Sequence, residues 1–348
     1  MQSNTSLIVE SKYPIENYGT SCSTEYSLLF ENAMYGLQAL YLIPTLVFLL
    51  WILFLVRIRH REQYWDNIWF WMLTIDCVAG IILILLDLFI TRLFLYFPQF
   101  CPFFSKIFIS YPLINHIYFP LYNYVRAIKP VTQCAMMLLR LSCVVNVGGY
   151  QKMWTRKIVS CCVLTCLLPF LVIWNTIISK KQVVFWRGGF FVIYHRYVQW
   201  ASLSMLHTIF LLIAILILLL TSIQISRKLI KLQLDSPKDV PPQRKICVYS
   251  AFISVGFFLQ AAFQSYYALF RHAWWFPSLL VDFQFVIYDV LTVGSPILIV
   301  NTSTELYNQM FNSKKLEEEE QKRQADPRSF VNLDTGYLEN PRKVDRWN

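Results

Sequence analysis

Seven apolar runs, each about as long as a helix that crosses a bilayer, punctuate this chain: Met34–Val56, Ile68–Ile90, Tyr118–Val145, Ile158–Ile178, Val198–Ile223, Ile246–Phe270 and Ser278–Val300. Crossing the hydrocarbon takes about 20 mostly apolar residues in helical form. Inside lipid every backbone N–H and C=O must find a partner within the protein, and runs this long do so as helices rather than barrel strands. The expected fold is all-α, a seven-transmembrane helix bundle. It divides the chain into an N-terminal segment (1–33), the bundle (34–300) and a tail (301–348). Only 15% of residues are charged and 56% are hydrophobic, which excludes an ordinary soluble domain. The net charge of +10 is therefore read as membrane sidedness, and no nucleic-acid partner is expected.

The stretch Leu93–Phe119 is apolar enough to suggest an eighth pass. Pro98, Pro102, Pro112 and Pro120 fall within 23 residues here, and each proline removes a helical donor and crowds the preceding turn. It is read as a structured loop leading into the third helix. Residues 1–32 carry Glu10, Glu16, Glu25 and Glu31 against Lys12. They lack the basic start and early apolar core of a cleavable signal peptide.

Orientation follows from Lys and Arg, which favour cytoplasmic loops. The loops after the first, third and fifth runs hold twelve such residues, and the opposite loops hold seven. The first run decides the matter, with an acidic segment before it and Arg57-Ile58-Arg59-His60-Arg61 after it. The N-terminus is placed outside a plasma membrane and the C-terminus in the cytoplasm. Asn4-Thr5-Ser6 is then an exterior glycosylation sequon, whereas Asn301-Thr302-Ser303 lies inside. The tail after Lys314-Lys315 turns acidic at Glu317–Glu320 and stays polar, as a solvated segment does. Tryptophans such as Trp65, Trp154, Trp186 and Trp200 fall near the helix ends, where their rings favour the headgroup layer.

Charges within spans are costly and mark function or packing. Arg126 and Lys129 are three apart in the third run, hence on one face. Counted from Tyr118, Arg126 lies about 12 Å deep. Asp76 and Asp87 sit in the second run, and Asp282 and Asp289 in the seventh. Two readings compete. Arg126 pairs internally, for instance with Asp289, and locks the helices; or Arg126 and Lys129 receive an acidic ligand in an outward pocket. Tyr122, Asn123, Tyr124, Tyr266 and Tyr267 would line such a pocket, with Gln260, Gln264 and His207 as further polar groups. Cys22 and Cys101 are the two of nine cysteines placed on the oxidising side. They form a disulfide between the N-terminal segment and the first outer loop, or remain two free thiols.

At the inner end of the third run stands Arg140, and the loop Ser226–Lys245 carries Arg227 and Lys228 among its six basic residues. Such a surface suits an acidic protein face or anionic lipid. No phosphate-binding Gly-rich loop, His-Glu-x-x-His or Gly-x-Ser-x-Gly occurs, so neither an enzyme nor a cofactor is expected.

Several stretches resemble one family. Arg92-Leu93-Phe94-Leu95-Tyr96-Phe97-Pro98 with Cys101-Pro102 looks like the second-helix exit of nematode serpentine receptors of class gamma. Tyr122-Asn123-Tyr124, Arg126, Lys129, Gln133 and Leu139-Arg140-Leu141-Ser142-Cys143 are similar to its third helix. Tyr150-Gln151-Lys152-Met153-Trp154 resembles its second inner loop, and Asp289 with Ser295-Pro296 its seventh helix. Leu139 stands where the family usually has Asn, Gly148-Gly149 replaces a Phe-Pro-like turn, and the seventh run lacks Asn-Pro-x-x-Tyr. The resemblance implies a chemosensory receptor for a small extracellular chemical, signalling through a cytoplasmic partner such as a heterotrimeric G protein. The competing class, a multi-pass transporter or ligand-gated channel, would show an internal repeat or paired broken helices in matching halves, and neither is visible.

Overall fold

The computed structural model describes Cys22, residues 28–145, 150–186, 188–195, 197–198, 200–235, 243–270 and 277–303, with Leu306, Tyr307 and Met310. Nine longer helices and one hairpin follow in chain order among the described residues. They are α1 (Leu28–Phe54), α2 (Ile68–Leu86), α3 (Cys101–Ser110), α4 (Pro112–Val145), α5 (Ile158–Leu167), α6 (Phe170–Ile178), β1 (Lys180–Trp186), β2 (Gly189–His195), α7 (Leu203–Asp235), α8 (Gln243–Phe270) and α9 (Pro277–Thr302). Five spans, those of α1, α2, α4, α7 and α9, are long and apolar enough to cross a membrane, and the bent pair α5–α6 makes a sixth. The 28 residues of α8 supply the remaining pass, with no Asp, Glu, Lys or Arg from Ile246 to Phe270.

Several boundaries differ from the sequence reading. The second pass does not stop at Ile90: a π-helical stretch, Asp87–Arg92, carries it on into Leu93–Tyr96. The expected loop over Leu93–Phe119 is mostly helical, and α4 begins at Pro112 rather than Tyr118. The reason lies in where the prolines fall. Pro98, Pro102 and Pro112 occupy first-turn positions, where a missing N–H costs nothing. Pro120 and Pro130 lie inside α4, as membrane helices tolerate. The fourth pass is broken by 43° between α5 and α6, at Leu168-Pro169. The fifth begins at Leu203 rather than Val198, after the hairpin and a short connection that Asn175 holds by the carbonyls of Val198 and Ala201. It also runs on to Asp235, so Arg227 and Lys228 sit on exposed helix rather than in a loop.

The chain falls into two compact units, one of residues 1–50, 78–129 and 166–207, the other of residues 51–77, 130–165 and 208–348. In the first, the hairpin pairs antiparallel from Lys180↔His195 to Trp186↔Gly189. It turns at Gly188, whose φ of 80° only glycine adopts easily. Phe94, Cys101, Phe108, Phe190 and Val192 form a buried cluster there, with Phe94 and Phe190 stacked at 5.0 Å. Gly189 lets the hairpin tip approach Leu93–Tyr96 at the end of the second pass: a Cβ at that position would fall 2.2 Å from the Phe94 carbonyl oxygen. A disulfide joins Cys22 to Cys101. In α6, Asn175 donates to the carbonyls of Val198 and Ala201, which fixes the strand-to-helix connection before α7.

In the second unit α8 and α9 pack side by side. Gly256 lies under Leu291 and Gly294 under Phe252, each so close that a Cβ would meet the neighbour at 2.4 Å. Small residues at such contacts let membrane helices pack closely. Arg57, at the end of α1, donates to Thr74 Oγ1 at 2.7 Å and lies 3.7 Å over the Trp71 ring, binding that end to the start of α2.

Candidate ligand and coupling sites

The π-helical turn builds the first site. Its hydrogen bonds skip five residues rather than four, so Asp87 and Arg92 become neighbours and form an ion pair at 3.7 Å. Helix α4 answers with a stripe spaced by three and four: Tyr118, Tyr122, Arg126 and Lys129. Tyr118 and Tyr122 stack at 5.9 Å, and Tyr118 shares a 2.6 Å hydrogen bond with Thr91 Oγ1. The Tyr122 hydroxyl donates to Asp87 Oδ1. Arg126 lies 4.1 Å over the Tyr122 ring and reaches the same carboxylate oxygen at 3.7 Å. From α1, Gln38 accepts from Arg92 at 3.2 Å and donates to the Tyr96 hydroxyl at 3.3 Å.

One carboxylate therefore serves two guanidinium groups. The buried charged side chains of this unit are Arg92, Arg126 and Lys129 against Asp87 and Glu31 among the described residues. Two guanidinium groups that share one carboxylate can also receive an anionic guest. A Cβ at Gly80 would meet Leu49 Cδ1 at 3.0 Å and would lie at ordinary contact distance, 3.4 Å, from Lys129 Nζ.

Of the residues singled out from the sequence, Tyr122, Asn123, Arg126 and Lys129 come together on α4, all buried. Asn123 donates to the Phe119 carbonyl of its own helix at 2.8 Å. Asp289, buried, and Tyr266, exposed, belong to the second unit. The internal partner suggested for Arg126 was Asp289; the carboxylate that meets it in its own unit is Asp87. Asp87 was legible as an intramembrane acid, but its pairing needed the π-turn, which no residue pattern announces. Arg92, just past the expected end of the second pass at Ile90, is fully buried. Asn4 lies outside the described residues.

The second unit holds a separate polar string. Thr132 Oγ1 donates to Asp76 at 2.7 Å, and Gln133 Nε2 donates to Asp76 and to Ser295 Oγ, each at 3.1 Å. The Tyr249 hydroxyl donates to Gln133 Oε1. The other face of Tyr249 carries Arg140, whose guanidinium lies 4.8 Å from the ring. Arg140 also donates to Thr302 Oγ1 at 3.2 Å and lies 5.5 Å from the Trp69 ring. Helices α2, α4, α8 and α9 are thus joined at Gln133 and again at Arg140. Sequence reasoning singled out Arg140 and missed Tyr249, which in sequence is an ordinary aromatic in an apolar run.

Comparison with known proteins agrees with this architecture. Residues 35–310 match the family described as Srg family chemoreceptor. The chain is 52% identical over 299 residues to serpentine receptor class gamma-7 of Caenorhabditis elegans, covering 86% of each chain. It is 36% identical to serpentine receptor class gamma-5 of the same organism over 82% of this chain and 87% of that one. Serpentine receptor class gamma-9 is 33% identical over 84% of this chain and 86% of its own length. With its seven-transmembrane bundle and its receptor rather than enzyme character, the chain belongs to the Srg family of serpentine chemoreceptors.

Proposed function

We propose that this chemoreceptor sits in the plasma membrane with its N-terminus outside, binds a small acidic chemical from the extracellular side, and signals to a heterotrimeric G protein. The observation that carries the reading is the shared carboxylate: Asp87 faces Arg92 and Arg126 at 3.7 Å each, with Lys129 buried on the same helix as Arg126. An incoming carboxylate, sulfate or phosphate competes with Asp87 for these cations. A ligand can shift a conformational equilibrium only through different affinity for its two states, and exchange of one anion for another supplies that difference. Tyr122 and Asn123 border the cations on the same helix. Arg140, Arg227 and Lys228 form the coupling face.

The test is a reporter cell line expressing the chain, screened with small organic acids and their neutral esters or amides. An acid should activate and its neutral derivative should not. Arg126→Gln should lower potency about tenfold to a hundredfold, as expected for one charge-assisted contact, with surface expression largely retained. Activation by neutral compounds alone, with potency unmoved by Arg126→Gln, would refute the anion reading. Ion flux in cells lacking G-protein signalling would favour a channel.

A further inference from the structure

Helix α3, between the second and third passes, has two unlike faces. Cys101, Ser105 and Phe108 turn inward to the hairpin and to Phe94. The opposite face presents Pro102, Phe103, Lys106 and Ile109, with Phe103 65% and Ile109 55% exposed. Facing water, a helix of this position would carry polar side chains there. Apolar residues around a single lysine are the pattern of a helix lying in a membrane interface, its rings among acyl chains and its cation at the phosphates.

Continuity points to the same occupant. One residue, Tyr111, separates α3 from α4. The first turns of α4, a membrane-crossing helix, expose Leu113 and Ile117. The exposed apolar strip of α3 therefore runs into the lipid-facing strip of α4. The disulfide at Cys101 and the hairpin hold the opposite face, leaving the lipid-facing side open.

We propose that α3 is an interfacial helix, seated in the headgroup layer with Phe103 and Ile109 in the acyl region and Lys106 on lipid phosphate. It floats the hairpin and the disulfide at the membrane surface, giving the receptor a lipid-bearing shoulder beside its third pass. The partner is phospholipid, not a second protein.

The test uses the full chain in phosphatidylcholine nanodiscs, with photoreactive benzoylphenylalanine installed singly at Phe103, Ile109 or Gln182. Gln182, exposed on β1, serves as a control outside the proposed acyl-facing strip. After irradiation, mass spectrometry should find phospholipid adducts at positions 103 and 109 and none at 182. The same experiment in cell membranes should give lipid and no protein adduct at 103. A covalent adduct with another protein or a second copy of the chain at 103 would overturn the proposal. So would absence of any lipid adduct at both 103 and 109, or equal lipid labelling at 182.

Discussion

Replacing Asp87 should harm this receptor more than replacing Arg126, although both sit in one ion cluster. Asp87 offers one oxygen to Arg126 and the other to Arg92, each at 3.7 Å. At an effective dielectric of about 20, that separation corresponds to roughly 4.5 kcal/mol of attraction per contact. Asp87→Asn removes both attractions and leaves two guanidinium groups buried near each other with like charge. Arg126→Gln removes one attraction, leaves the Arg92 pair intact and relieves the repulsion between the arginines. After allowance for desolvation, Asp87→Asn should cost about 3–5 kcal/mol, and Arg126→Gln about 1.5–3 kcal/mol. The measurements are cell-surface abundance and the thermal unfolding midpoint in nanodiscs. The double variant Asp87→Asn/Arg126→Gln should regain part of what Asp87→Asn loses, because one stranded cation is gone. If Arg126→Gln proves the more damaging single change, or the double variant is no better than Asp87→Asn, the shared-carboxylate account fails.

Other expectations follow from separate places. Cys22→Ser opens a cross-link between residues 79 apart, worth about 4.5 kcal/mol in the chain-entropy view; thiol labelling of both cysteines on non-reduced receptor would count against the bond. Gly189→Ala drives a methyl into the backbone of Phe94 and Leu95 and should cost about 1–3 kcal/mol or more, read as faster protease cleavage of the hairpin. Tyr249→Phe leaves the ring under Arg140 but strips Gln133 of its donor, a loss of about 1–3 kcal/mol. Tyr249→Leu should cost more, and equal losses would mean the ring contact contributes nothing. Asn4→Gln should abolish a glycan-dependent mobility shift if the N-terminus is exterior, whereas Asn301→Gln should leave it unchanged.

Hydropathy alone located the passes, because a 20-residue apolar run has few alternatives in lipid. Boundaries were harder where proline sat in a first turn: at Pro102 and Pro112 the residue that breaks helices elsewhere begins them. The hairpin escaped notice because Lys180–His195 reads as a basic loop, and its strand character depends on the turn at Gly188 and the seat of Gly189 on Phe94 and Leu95. At the site, the cations of α4 were legible from their spacing. Their partner was not, since Asp87 and Arg92 are five apart and would diverge on an α-helix. Tyr249 was invisible for another reason: its role comes from Gln133 and Arg140, more than a hundred residues away.

The widened turn at Asp87–Arg92 also acts as an angular gauge for everything beyond it. In an α-helix, residues five apart point about 140° away from each other; here one additional residue is wound into the turn and the two side chains come into line. The offset is inherited by Phe94, Leu95 and Tyr96. Rewinding this stretch as α-helix with every residue kept would swing these three by about 100°. Phe94 would leave Phe190, the Tyr96 hydroxyl would leave Gln38, and the hairpin would lose its seat. Acid, arginines and hairpin are thus phased by the same residue of helical slack, so a ligand that rewinds this turn would be felt at once in the charge cluster and at the surface cap.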